Sequence, residues 1–212
     1  MDAVKSRRAE YAEQTRAALM AAAVRTFAER GFAATSIIEV AKAARVTKGA
    51  VYHHFTDKRS LLEAVVAQCN ETAQQRVFAA IARHPDDQWA AAVAGLEETL
   101  EVCADPVIGR LIYLEGPVGM GWTRWREAEL LYTHRNVNQL LLTGISTGIF
   151  DRDMPAEAMT LVIAGMVTQA GIALAEAPAR RKKQLRAELQ SAIKRVLFGL
   201  RRGRAGSIAA DD

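Results

Sequence analysis

Between Thr35 and Phe55 the chain reads TSIIEVAKAARVTKGAVYHHF, and two helix-start signals stand so close together there that neither helix can exceed about two turns. Ser36 followed three residues later by Glu39 is a capping-box pattern, opening a helix whose inner face is Ile37, Val40, Ala41 and Ala44. That helix stops near Arg45 and Val46, and Thr47 caps the next one, Lys48 to Phe55. Helices this short do not hold themselves in water, so packing must hold them. Val51 and Phe55, one turn apart, supply the inward face. Lys48, Gly49, Ala50, His53 and His54 are then directed outward, with Tyr52 at the flank. A polar face on a short, supported helix is the feature around which the rest of the chain must be read.

The segments on either side are also helical. Leu19, Ala23 and Phe27 are four apart, and Gly31 ends that helix as a left-handed cap. Thr56 or Asp57 caps a long helix from about Arg59 to Ala82. Beyond ARHPDDQW, helices are expected near 87–103 and 106–115, and EGPVGMGW interrupts the pattern before a helix over about 123–147. TGIFDRDMPAEA is a loop, and two last helices follow over about 155–176 and 180–201. With half the residues apolar and only 6% aromatic, the composition suits helices better than a β-sandwich. The expectation is an all-α protein: residues 1–60 form one domain, residues 61–203 a larger helical one, and residues 204–212 a polar tail.

Charge is unevenly distributed. Residues 1–60 carry eleven Lys/Arg against six Asp/Glu, a net +5, while the remainder, seventeen against eighteen, nets −1. A basic first third on a nearly neutral body points to an anionic partner, the alternative being a solvated helix surface. Cys69 and Cys103 have no paired spacing and read as reduced, buried thiols of a cytoplasmic protein. The run from Ala156 to Ala175 is about long enough to span a membrane. It contains Glu157, Thr160, Thr168 and Gln169, so a helix buried in protein is expected and no membrane is implied. His53 and His54 are adjacent and point about 100° apart on a helix, so they make no metal pair. No metal or cofactor is implied.

From Thr15 to Val66 the chain resembles the DNA-binding domain of TetR-type transcriptional regulators: a helix ending FAERGF, then TSIIEVAKAARVTKGAVYHHFTDKRSLLEAV. The resemblance implies a homodimer in which residues 36–55 form a helix-turn-helix, with the second helix entering the major groove of a double-stranded DNA operator. On that likeness Lys48, Gly49, Ala50, His53 and His54 take groove-facing positions. Tyr52 and Lys58 take phosphate-binding positions, Thr35 and Ser36 the place of hydroxyls near the backbone, and Thr47 at the helix start is counted with the DNA-binding residues. Arg45 stands where the family usually has glycine, implying a left-handed residue or a phosphate contact, and Ile38 stands where a polar residue often reaches DNA. The chemistry of the residues agrees: lysine donates to guanine or phosphate, small Gly49 and Ala50 permit close approach, and a tyrosine hydroxyl donates to phosphate.

The C-terminal half is similar to the ligand-binding and dimerising half of the same family. Tyr113, Trp122, Trp125, Phe150 and His134 are candidates for lining a small-molecule effector cavity, with Glu115 and Cys103 as polar members; core packing is the alternative for each. Cys103 and His134 are also the residue types of a nucleophile and base, the one basis for an enzyme reading. The apolar helix near 156–175 needs covering on two sides. With the stripe Leu185, Leu189, Ile193, Val196 and Leu200 it suggests a four-helix interface between two copies, using Ile163, Met166 and Val167. The function implied is a transcriptional regulator that a small molecule releases from DNA, with a ligand-independent activator or architectural protein as the alternative.

Overall fold

The computed structural model describes residues 7–201, so the expected tail at 204–212 lies outside them. Among the described residues eleven α-helices succeed one another: α1 Arg7–Arg30, α2 Ile37–Ala43, α3 Lys48–His54, α4 Lys58–Ile81, α5 Gln88–Ala104, α6 Ile108–Arg110, α7 Gly116–Met120, α8 Trp122–Glu129, α9 Arg135–Ser146, α10 Ala156–Glu176 and α11 Ala179–Gly199. Two π turns are set into them, Leu111–Glu115 before α7 and Leu130–His134 before α9. The only β pairing among the described residues is an isolated bridge between Phe150 and Arg201. The fold is all-α: an N-terminal helix-turn-helix unit and a C-terminal helical unit.

Local signals place the N-terminal helices. Gly31 closes α1 at φ 84, and its N–H donates to the Phe27 carbonyl at 3.0 Å. Ser36 caps α2 and Asp57 caps α4, each in a reciprocal capping box. Leu19, Ala23, Phe27, Val40, Val51, Leu61, Leu62 and Val65 are fully buried and weld α1 to α4 into one small core. α4 runs unbroken past residue 60, packing on α1 through its first part and on α5 beyond it.

The stretch EGPVGMGW does not break the chain where its proline sits. Pro117 lies in the first turn of α7, where a missing N–H costs nothing, and the preceding π turn is closed by the Gly116 N–H donating to the Leu111 carbonyl five residues back. That wider turn gives room where a proline ring would otherwise press on the carbonyl four residues earlier. The true interruption is Gly121, at φ 83.

α10 is long and apolar enough, by length and composition, to cross a membrane. Here it packs on α5, α9, α11 and both π turns, burying Ile163, Ala164, Val167, Ala170, Gly171 and Leu174. α11 is fastened to α5 by the ion pairs Arg186–Glu101 and Lys194–Glu97. The interface residues expected from the sequence divide between core and surface. Ile163, Val167 and Ile193 belong to the chain's own core, and Met166, Leu189 and Leu200 pack half-buried against it. Of that set Val196 alone is exposed. Periodicity finds an apolar stripe but not which stripe faces inward. The open apolar side is carried by Leu161 and Val162 on α10 and Val196 on α11.

Candidate nucleic-acid interface and the buried polar cluster

α3 stands on a fixed base. Thr47 Oγ1 accepts the Ala50 N–H at 3.2 Å, Val51 and Phe55 are buried, and the Arg16 guanidinium lies 4.9 Å from the centre of the Phe55 ring. The opposite side presents Lys48, Gly49, Tyr52 and His53 to solvent, with Ala50 and His54 half-buried. Tyr52 is 49% exposed, and the Lys48 ammonium sits 5.7 Å from its ring centre. The two imidazoles meet edge to face at 5.2 Å. Burial, then the charges of His53 and Arg16, hold His54 below the ordinary histidine value, favouring a neutral ring that can accept as well as donate. Ile38, 60% exposed, lines an open cleft of about 430 Å³ together with Ser36, Lys48, Tyr52 and Lys58.

Arg45 is the one described residue other than glycine with positive φ, at 58°. A left-handed β-carbon costs about 1 kcal/mol or more. Arg45→Gly should therefore raise the unfolding free energy by about 1 kcal/mol, read from the midpoint of a urea titration.

Two residues assigned to the DNA backbone sit differently from expectation. Thr35 is buried, and its hydroxyl donates to the Gly31 carbonyl at 2.8 Å and lies 3.3 Å from the Thr26 carbonyl, so it ties a loop rather than facing outward. Lys58 is half-buried; its ammonium donates to the carbonyls of Phe32 and Thr35, both at 2.8 Å, and lies 4.2 Å from the centre of the Phe32 ring. Those bonds explain why a lysine is tolerated at a helix start, where the macrodipole disfavours it.

Of the residues proposed for an effector cavity, the structure brings together Cys103 with Tyr113 and Trp122 with Trp125. Trp122 is 66% exposed. Trp125 is core: its indole N–H donates to the Ile112 carbonyl at 2.7 Å. Phe150 is likewise core, held against Gly144, where an added β-carbon would meet its ring at 2.3 Å. Glu115 is buried against the N-terminal unit, accepting the Phe32 N–H at 2.7 Å and pairing with Arg110 at 3.0 Å. His134 is half-buried at the end of the second π turn. Cys103 and Tyr113 do meet, the thiol donating to the phenol oxygen at 3.5 Å. Burial pushes the Cys103 thiol up to about 12, so it is no thiolate nucleophile at neutral pH. Among the described residues no group of His, Cys, Asp and Glu is placed to hold a metal.

Sequence reasoning missed Glu129. It is buried at the end of α8 and accepts from the Thr168 hydroxyl on α10 at 2.7 Å. Burial raises its carboxyl above the ordinary value, with the Thr168 and Thr133 hydroxyls opposing the shift. An acid whose folded pKa is raised stabilises the fold fully below its unfolded value, and that contribution is lost as pH rises through the folded value. Native stability should fall across this window, and Glu129→Gln should flatten the fall and be the more stable protein at neutral pH, as thermal melts in a pH series would reveal.

Residues 19–65 match the family model for bacterial regulatory proteins of the tetR family, and residues 89–200 match the model for the tetracyclin repressor-like C-terminal domain. The chain belongs to the TetR family. A TetR-family transcriptional regulator from Pectobacterium atrosepticum shares the architecture at TM-score 0.76, with 28% identity over 93% of this chain and 98% of that one. The fatty acid degradation regulator FadR from Bacillus halodurans, 19% identical, shares the fold at TM-score 0.70 over 87% of this chain and 99% of its own. In sequence, this TetR-family chain is 43% identical over 63 residues to the HTH-type transcriptional regulator TtgR of Pseudomonas putida, a match spanning only 30% of either chain. It is 30% identical over 139 residues to the transposon Tn10 TetC protein of Escherichia coli, covering 65% of this chain and 68% of that one. α2 and α3 are the helix-turn-helix of this TetR-family protein.

Proposed function

We propose that the chain is a homodimeric, sequence-specific transcriptional regulator of the cytoplasm, a repressor that a small molecule releases from a roughly palindromic operator. The observation that carries this reading is the outer face of α3. Lys48, Gly49, Tyr52 and His53 lie open on a helix whose inner face is locked by Val51 and Phe55, in a first third of the chain that carries a net +5. Lys48, with Gly49 and Ala50, reads base edges; His53 and His54 contact bases or phosphates; Ser36, Arg45, Thr47, Tyr52 and Lys58 hold the backbone, Lys58 with the N–H that its two carbonyl partners leave over.

Two copies meet through the open side of α10 and α11, where Leu161, Val162 and Val196 are exposed and Gly165 has open space around it. Two such helix pairs facing each other form a four-helix interface. Val162→Glu should then yield a monomer in sedimentation velocity, with its far-UV circular dichroism unchanged. The effector acts on the buried Cys103, Tyr113 and Glu129 together with half-buried Thr168, polar groups at the C-terminal core.

The deciding experiment is fluorescence anisotropy with duplex from the region upstream of the protein's own gene, against scrambled duplex, near physiological salt. A preference of about a thousandfold or more supports the reading. Equal and weak binding to both counts against an operator there. Release of the duplex by no compound of a broad panel favours a ligand-independent activator or architectural protein instead.

A further inference from the structure

The loop that leads from α1 into the helix-turn-helix is gripped from two sides at a single residue. The Phe32 carbonyl accepts from the Lys58 ammonium at 2.8 Å, and the same ammonium reaches the Thr35 carbonyl and lies over the Phe32 ring. The Phe32 N–H is held by the Glu115 carboxylate at 2.7 Å. Lys58 opens α4 inside the N-terminal unit, whereas Glu115 closes the first π turn of the C-terminal one, 83 positions from Phe32 in the chain.

The grip is closely fitted. Arg110 pairs with the Glu115 carboxylate through Nη2 at 3.0 Å and Nε at 3.1 Å. A β-carbon at Gly31 would stand 3.3 Å from both Glu115 oxygens, so the backbone there is in near contact with the acid. Gly119, one turn beyond in α7, is pressed against the Phe32 ring and Leu62; a β-carbon would come within 2.8 Å of that ring. The chain segment that fixes the start of α2 is therefore seated on the C-terminal unit by one carboxylate.

That carboxylate stands two residues from Tyr113 in the same π turn. Tyr113 meets the Cys103 thiol, and its ring fills the place where a β-carbon on Gly171 of α10 would sit, at 2.5 Å. A π turn holds one residue more than an α turn, and its loss would rotate the chain on one side of it by about 100° relative to the other. Glu115 and Tyr113 thus belong to one element that can change register in a single step.

We propose that Glu115 is a positioning residue for operator binding: through the Phe32 N–H it sets where α2 and α3 stand, and the π turn relays to it any displacement of Tyr113. This rests on the DNA-binding reading above. Glu115 touches no DNA; it acts through Phe32 and, beyond it, Lys58.

The test is a double-mutant cycle on operator affinity, using Glu115→Leu, Glu115→Gln, Lys58→Met and the double variant Glu115→Leu/Lys58→Met. All are measured by anisotropy at a temperature where circular dichroism shows each variant fully folded. Glu115→Leu should weaken operator binding about tenfold or more while leaving the weaker affinity for scrambled duplex nearly unchanged. A contact that merely stabilised the fold would not move that ratio in a folded variant. Glu115→Gln, which keeps an acceptor for the Phe32 N–H, should restore most of the loss. Read as the ratio of operator to scrambled affinity, from which the phosphate contact of Lys58 cancels, the double variant should lose much less than the product of the two single losses, because both side chains act on one segment.

The proposal is overturned if folded Glu115→Leu binds operator like the native chain, or if the two losses of operator preference over scrambled duplex multiply in full. If the native chain itself shows no preference for its operator, the functional reading and this one fall together. If the preference is present and unmoved by Glu115→Leu, only the positioning role falls.

Discussion

Trp125→Ala should remove about 3–5 kcal/mol of folding stability, the cost of emptying a fully buried aromatic site whose surroundings relax only in part. The indole is 1% exposed and donates to the Ile112 carbonyl inside the first π turn. Truncation therefore leaves a hole and also an acceptor stripped of its partner, which adds about 1–3 kcal/mol if no water enters. Trp125→Phe fills most of the volume but donates nothing, so it should lose less. Urea titration of the three proteins separates the two contributions. A Trp125→Ala variant as stable as the native chain would mean that the site is a ligand cavity rather than core. Trp122, whose ring lies 5.1 Å away and is largely exposed, is the matched control and should change stability little.

On the DNA side, Lys48→Ala should cost about 1–3 kcal/mol at the operator if its ammonium reads a guanine, with preference relaxed at one base position. Tyr52→Phe should instead weaken specific and random duplexes alike and make the salt dependence shallower, as loss of a phosphate contact does. The two side chains touch, the Lys48 ammonium resting 5.7 Å from the Tyr52 ring centre, but phenylalanine keeps that ring. A uniform loss across all sequences in Lys48→Ala would move Lys48 among the phosphate contacts.

What the sequence reveals and what it hides follows from the range of the forces involved. The capping boxes at Ser36 and Asp57, the left-handed Gly31 and the turn at Arg45 are local, made by residues within a few positions of each other. They are legible without a structure. The π turns are not, because shifting one hydrogen bond by a residue leaves no mark on an apolar pattern that is hydrophobic all round, as LIYLE nearly is. Pro117 illustrates the same point: its residue type signals a break, and only the widened turn before it explains why there is none.

Side-chain roles set by distant partners are the least legible. Thr35, Lys58 and Glu115 are polar residues on paper, and their hydroxyl, ammonium and carboxylate all hold the Gly31–Thr35 loop and its surroundings. Trp122 and Trp125 are the same residue type three positions apart, one exposed and one buried. Glu129 gives no signal, since an acid in EAELLY looks like surface until α10 closes over it. Among the expected interface residues, Ile193 and Val196 lie on the same helix, and only the fastening of α11 to α5 decides that the first is inside and the second outside.

Mechanically, α4 is a single strut. It spans Lys58–Ile81 without a break, a rod about 36 Å long at the usual rise per residue. Its first turn carries the lysine that clasps the loop before α2, and much of its length lies on α5. A rod of that length pivoting by about 5° at its far end carries its tip through about 3 Å. The spacing of successive bases along a DNA strand is about 3.4 Å. A tilt of about 5° is therefore enough to carry the end of α4 nearest α3 through nearly one step of the duplex.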